Sequence, residues 1–159
     1  MQHHALRLRP TEEADLELLF QFQMDEQAGY LAAFTAQDPT DWEAYFKKYT
    51  QILRDPTTNT QTILLDGVVV GSIAKFEMEG EAGITYWLDR RYWGQGIAST
   101  ALHAFLHLET MRPIFGRIAF DNVGSQRVLE KAGFVKIGTD SGFANARQAV
   151  IEEFIYQLA

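Results

Sequence analysis

The sequence predicts a mixed α/β fold, one domain over residues 1–159 with helices packed on a mixed sheet. Three observations carry that expectation. Short runs rich in β-branched and aromatic residues recur at the start, middle and end of the chain. Amphipathic stripes at helical spacing separate them. A strand, a glycine turn and a helix follow directly over residues 84–109, ITYWLDRRYWGQGIASTALHAFLHLE, as α/β units do.

The elements follow in order. Leu6 and Leu8 alternate with arginines, which predicts a strand at about residues 5–9. Thr11 suits a helix cap, and Glu12, Glu13 and Asp15 suit the positive helix end. Leu16, Leu19, Phe20 and Gln23 form a helical stripe, with Gly29 as its end or a bend. Thr40-Asp41-Trp42-Glu43 reads as a capping box. Trp42, Tyr45, Phe46, Tyr49, Ile52 and Leu53 then mark an amphipathic helix that Asp55-Pro56 stops. Strands at 61–65 and 68–76 are joined by Asp66-Gly67, a strong hairpin turn. Residues 77–81 turn the chain into a central strand at 83–88.

Beyond the turn Arg91–Gly96, a helix begins at Ile97, with Ala98, Ala101, Ala104, Phe105 and Leu108 completing its apolar face. Pro113 and Gly116 bracket a gap before a strand at Arg117–Phe120. A helix over Asn122–Ala132 ends at Gly133, a left-handed cap. The last strands are 134–137 and 149–158, and the intervening GTDSGFANARQ reads as a mobile loop.

Composition narrows the function. The absence of cysteine removes disulfides, a thiolate nucleophile and cysteine metal sites. A net charge of −7 argues against a nucleic-acid partner. No apolar run reaches the length of a membrane span, and the first ten residues lack a signal-peptide core, so a cytoplasmic protein is expected. His103 and His107 lie four apart on one helix, but they point away from its apolar face and no third ligand is evident. No metal site is expected. Tyr30, Phe34 and Phe143 serve either a pocket or a homodimer contact.

Arg91-Tyr92-Trp93-Gly94-Gln95-Gly96 opens a helix, and a helix head following glycines presents free N–H groups to a phosphate. The full G-x-G-x-x-G of a dinucleotide fold is absent. A second block follows, Asn122-Val123-Gly124-Ser125-Gln126-Arg127-Val128-Leu129-Glu130-Lys131-Ala132-Gly133-Phe134. With these two blocks the chain resembles the GNAT-type, acetyl-CoA-dependent N-acetyltransferases, in the branch that includes the ribosomal-protein N-terminal acetyltransferases.

The resemblance implies a central strand splayed from its neighbour and transfer of an acetyl group from acetyl-CoA directly to an amine, on a protein N-terminus or a small molecule. It implies that the backbone of Tyr86, Trp87 and Leu88 pairs with the pantetheine arm, as one strand pairs with another. Backbone N–H groups of Trp93, Gly94, Gln95, Gly96, Ile97, Ala98 and Ser99 would hold the diphosphate, with Arg91 or Gln95 facing inward. An N–H near Leu88 would stabilise the oxyanion. Asn122 and Ser125 would contact the cofactor, and Ser125 would protonate the leaving thiolate. The helix over 42–53 borders the acceptor pocket in the family, which makes Trp42 and Tyr45 candidate substrate contacts. Two positions depart from the pattern. Gly83 stands where many relatives carry a glutamate base, leaving Glu81, or Glu77, as candidates, and Leu129 stands where many carry a tyrosine acid. A domain that binds acyl-CoA as a sensor or scaffold without turnover is the alternative.

Overall fold

The computed structural model describes residues 5–159; Met1–His4, the first part of the segment read for a signal peptide, lie outside them. Seven strands form one sheet: β1 (Leu6–Pro10), β2 (Asn59–Leu65), β3 (Val68–Met78), β4 (Glu81–Leu88), β5 (Ile114–Ala119), β6 (Val135–Ala144) and β7 (Ala149–Leu158). Their order is β1-β2-β3-β4-β5-β7-β6. Every adjacent pair is antiparallel except β4 and β5, which run parallel.

Helices α4 (Ile97–Leu108) and α5 (Val123–Lys131) cover one face. Their apolar stripes pack with Ile84 and Leu88 of β4, Ile114 of β5 and Tyr156 of β7 into the main core. The opposite face carries α1 (Leu16–Gln23), α2 (Glu26–Ala32) and α3 (Trp42–Arg54). A smaller core of Ala33, Ala119 and Ala144 lies where α2 ends beside β5 and β6; methyl-sized side chains let these backbones approach closely. No helix among the described residues is long and apolar enough to cross a membrane.

Several local expectations are revised. The helical break falls at Met24–Asp25 instead of Gly29, because Asp25 caps α2 through the Gln27 N–H and Gly29 stays inside that helix. Thr11 is not a cap; its hydroxyl meets that of Thr62. Asp41, not Thr40, caps α3, accepting from the Ala44 N–H. Leu108 is 56% exposed at the last residue of α4, and Leu102 takes a core position in its place. The strand expected at 117 begins at Ile114 and runs through Gly116, where a side chain would press on Leu129. The segment expected to be a mobile loop is the larger part of β6, paired with β7 from Val135↔Gln157 to Ala144↔Ala149. Its polar and glycine-rich composition reflects a strand open to water on most of its length.

The Asp66-Gly67 turn holds both residues at positive φ, 51° and 82°, as a two-residue hairpin needs. Gly71 and Gly83 answer a different need. A Cβ on Gly71 would strike the Trp87 carbonyl oxygen across the β3–β4 ladder, whereas one on Gly83 would strike only the tip of the Phe76 ring. Gly71→Ala should therefore destabilise more than Gly83→Ala, by roughly 2–3 kcal/mol against 1–2. Urea midpoints of the two variants test that order.

Asp15 is buried at the base of α1 and takes two 2.7 Å hydrogen bonds from the Arg9 guanidinium. Burial by itself would raise its pKa; the bonds from Arg9, the Glu12 N–H and Thr62 outweigh that and hold it below the ordinary value. A carboxylate depressed in the folded state stabilises above its unfolded pKa and loses that contribution as pH falls through the folded one. Stability should decline from about pH 4 downward. Asp15→Asn should cost roughly 1.5–3 kcal/mol at pH 7 and flatten that decline, measured by urea unfolding at stepped pH.

Candidate active site

The site begins with a separation in the sheet. β4 and β5 pair only at Ala82↔Ile114 and Gly83↔Phe115. Past that point β4 stays on β3 as far as Leu88↔Gly71, and β5 stays on β7 as far as Ala119↔Glu153. From Ile84 to Leu88 the edge of β4 that faces β5 has no strand partner. Its alternate N–H and C=O groups are open to an extended ligand.

The head of α4 stands at the C-terminal end of this gap. Asp89 is buried and accepts from the Arg91 N–H at 3.2 Å, Nε at 2.9 Å and Nη2 at 2.7 Å, which closes the turn. Trp93 Nε1 donates to the Leu88 carbonyl at 3.0 Å. Gly94 and Gly96 hold φ of 77° and 76°, and neither position has an atom within 4 Å of where a Cβ would stand. Gly96 is the N-cap, and no side chain caps the helix. The first N–H groups of α4, from Ile97 to Ser99, therefore lack intrahelical acceptors and point outward with the positive dipole end. Arg91 does not turn inward: its guanidinium is held on Asp89 and is 78% exposed. Gln95 Nε2 lies 3.4 Å from the Arg91 carbonyl.

Across the gap, α5 begins at Asn122, whose Oδ1 accepts the Ser125 N–H at 3.3 Å. Ser125 Oγ is 2.8 Å from Tyr86 Oη. Burial raises the pKa of the Tyr86 phenol, and the Ser125 contact only partly offsets it. Leu129 is buried against Gly116, so the second block contributes a core side chain where relatives are expected to carry a hydroxyl.

Trp87 faces the other way, with its indole Nε1 donating to the Phe22 carbonyl at 3.2 Å. Arg90 follows, bonding Asp25 at 2.5 Å and Gln27 at 3.1 Å. On that side lies a cleft of about 580 Å³, walled by the α1–α2 corner from Gln23 to Gln27, by Tyr30, by Thr35–Gln37 and by the β6–β7 turn at Asn145 and Ala146. Arg147 fastens this turn in place. Its Nη1 and Nη2 donate to Asp121 at 2.9 and 2.8 Å, its Nε donates to the Tyr30 carbonyl at 2.6 Å, and its guanidinium lies 3.9 Å from the centre of the Tyr30 ring. Asn145 also donates to the Thr35 carbonyl at 2.7 Å.

The remaining expected residues fall elsewhere. Glu81 is exposed on the β3–β4 hairpin, opposite Met78. Six residues of extended strand put it about 20 Å from Trp87, on the near side of the last β4–β5 pairs. Glu77 is held by Lys75 at 2.9 Å. At Gly83 the tip of the Phe76 ring fills the space a side chain would enter. Trp42 and Tyr45 pack with Phe20, at ring separations of 5.1 and 5.0 Å, and neither lines the cleft. His103 and His107 are exposed and stacked edge to face at 4.9 Å. Among the described residues no group of three metal-ligating side chains comes together. Sequence reasoning missed the phenol of Tyr86 and the Arg147–Asp121 pair, which join residues far apart in the chain. Tyr30, expected in a pocket or a homodimer contact, lines the cleft.

A parted parallel strand pair beside an uncapped, glycine-headed helix suits a ligand with an extended arm and a phosphate group, as an acyl-CoA-dependent acyltransferase requires. A model of the acetyltransferase (GNAT) domain matches residues 5–135, and the chain belongs to that family. It uses acetyl-CoA and transfers the acetyl group to an amine. No curated protein matches the sequence. Among solved structures, the chain is similar in fold to RimL, a ribosomal L7/L12 α-N-protein acetyltransferase in complex with coenzyme A, with a TM-score of 0.83, 22% identity, and 96% of this chain and 93% of that one covered. The ribosomal-protein-S5-alanine acetyltransferase from Vibrio fischeri gives 0.77 at 16% identity, covering 99% and 94%. The microcin C7 self-immunity acetyltransferase MccE, in complex with acetyl-CoA and AMP, gives 0.81 at 14%, covering 97% and 92%.

Gly96→Val would force a β-branched residue into the left-handed region and place methyl groups over the helix head. The expected result is a rise in the acetyl-CoA Kd of about tenfold or more, the equivalent of about 1.4 kcal/mol, read by isothermal titration calorimetry.

Proposed function

We propose that the protein acetylates the α-amino terminus of a peptide, drawn in through the cleft beside α2, while acetyl-CoA enters the gap from the α4–α5 side. The observation that carries this reading is a cleft wall rich in amide and hydroxyl side chains on the side of the sheet to which Trp87 turns, away from α4 and α5. Gln23, Gln27, Thr35, Gln37 and Asn145 in that wall suit the alternating donors and acceptors of a peptide backbone. The two ribosomal-protein acetyltransferases of like fold act on protein N-termini according to their names. A small amine in the same cleft is the alternative acceptor. The reading takes the protein to be cytoplasmic, in keeping with a chain free of cysteine.

Each residue then has a task. The backbone of Tyr86, Trp87 and Leu88 pairs with the pantetheine arm, and N–H groups from Trp93 to Ser99 surround the diphosphate. An N–H near Leu88 takes the charge that develops on the carbonyl oxygen, an interaction worth roughly 3 kcal/mol. Glu26, exposed in the first turn of α2 and lining the cleft, draws in a cationic amine. The ammonium gives up its proton to solvent at the cleft before attack. Ser125 offers its hydroxyl to the departing sulfur, whose charge is already tolerable near neutral pH.

Purified protein incubated with acetyl-CoA, peptides of varied first residue and polyamines should release thiol with peptides, and the mass gain should lie on the terminal amine. Tight CoA binding with no thiol release over the whole panel would support the sensor reading instead. In the same assay Glu81→Gln should leave the pH profile of kcat unchanged, because that carboxylate stands at the far end of β4.

A further inference from the structure

We propose that Tyr86 is a positioning residue for departure of the thiol, acting through Ser125; this rests on the reading of Ser125 given above. The contact between Tyr86 Oη and Ser125 Oγ, 2.8 Å, joins β4 to the head of α5 within the stretch where β4 and β5 have parted. It is a direct side-chain link between β4 and the head of α5, on the face that holds α4 and α5.

The direction of that hydrogen bond decides what the serine can do. A serine hydroxyl has one proton and two lone pairs, and its rotor turns to suit its neighbours. If Tyr86 donates, the serine oxygen is held by a lone pair and its own proton is free to point into the gap. If the serine donates to the phenol, no proton is left for the sulfur. Two features favour tyrosine as the donor. Phenol is the more acidic of the two hydroxyls and hence the stronger donor. The Tyr86 side chain also sits where burial disfavours phenolate, so it keeps its proton. The Asn122 side chain meanwhile fixes the backbone beneath the serine by accepting its N–H. Ser125 is thus aimed by two groups, one at its amide and one at its hydroxyl.

In the transfer step the amine nitrogen forms the new bond to the acetyl carbon as the carbon–sulfur bond breaks. The nitrogen loses one proton and the sulfur gains one, so the step is balanced without an external donor. Ser125 stabilises the sulfur as its charge grows, and Tyr86 keeps the serine proton on the correct side. Tyr86 stays neutral throughout, in contrast to a relay, which would need a phenolate that this environment resists. The arrangement also explains how a chain with Leu129 in the second block manages the leaving group. The hydroxyl arrives from the first turn of α5 and is aimed from β4.

The test is a double-mutant cycle on acetyl transfer. Tyr86→Phe removes one oxygen and leaves the ring. It should lower kcat roughly tenfold with KM for acetyl-CoA and Tm unchanged, and Ser125→Ala should lower it at least as much. The double variant should be no slower than Ser125→Ala alone, because Tyr86 acts only through that hydroxyl. Additive losses, or an unchanged kcat in Tyr86→Phe beside an impaired Ser125→Ala, would overturn this inference and leave the serine reading intact. An unaffected Ser125→Ala in an active enzyme would overturn both, and a wild-type protein without turnover would remove the reaction on which both depend.

Discussion

The structure depends on the parting of two parallel strands after two residue pairs. Parallel strands ordinarily stay together because each backbone group left unpaired in a sheet costs free energy. Here the loss is accepted over Ile84–Leu88 because both strands are secured on their outer sides. β4 is held along its whole length by β3, and β5 is held by β7. The gap is therefore a rigid feature of a continuous sheet, and the polar groups on its edge are presented in a fixed extended geometry.

The surrounding elements are arranged to keep that opening in shape. On one face Ile84, Leu88, Ile97, Ala101, Phe105 and Leu129 form a dry core up to its rim. On the other, Trp87 is tied to Phe22 and Arg90 to Asp25, which fixes the corner between α1 and α2. Arg147 completes the frame from the far side of the sheet. Its side chain is 7% exposed and holds Asp121, just before α5, together with Tyr30 of α2. The Asp121 carboxylate is correspondingly pushed below the ordinary range, chiefly by the Arg147 hydrogen bond. One arginine thus couples the wall of the cleft beside α2 to the head of the helix that carries Ser125.

Much of this was legible in the residues. The order of the seven strands, the Asp66-Gly67 hairpin, the glycine-headed α4 and the Asn122 cap of α5 all rest on local chemistry, and the structure contains each of them, with three helices instead of two between β1 and β2. The misreadings occurred where local composition and tertiary setting disagree. Residues 138–148 are polar and rich in turn formers, yet most of them are a strand, because β7 supplies a ladder and water accepts the other face. Trp42 and Tyr45 look like pocket walls because they are aromatic, yet Phe20 engages them. Glu81 shares a face with Trp87 by alternation, but six residues of extended strand keep it about 20 Å away.

By itself the sequence determined the periodic elements, their turns and a helix head fit for phosphate, because each depends on residues close together in the chain. It also excluded a cysteine nucleophile from these residues. Only the tertiary structure decided where β4 leaves β5 and that Tyr86 meets Ser125 beside that opening. Those relations join residues 32 to 39 positions apart, and their energies depend on the packing of the whole sheet, so no local pattern in the chain records them.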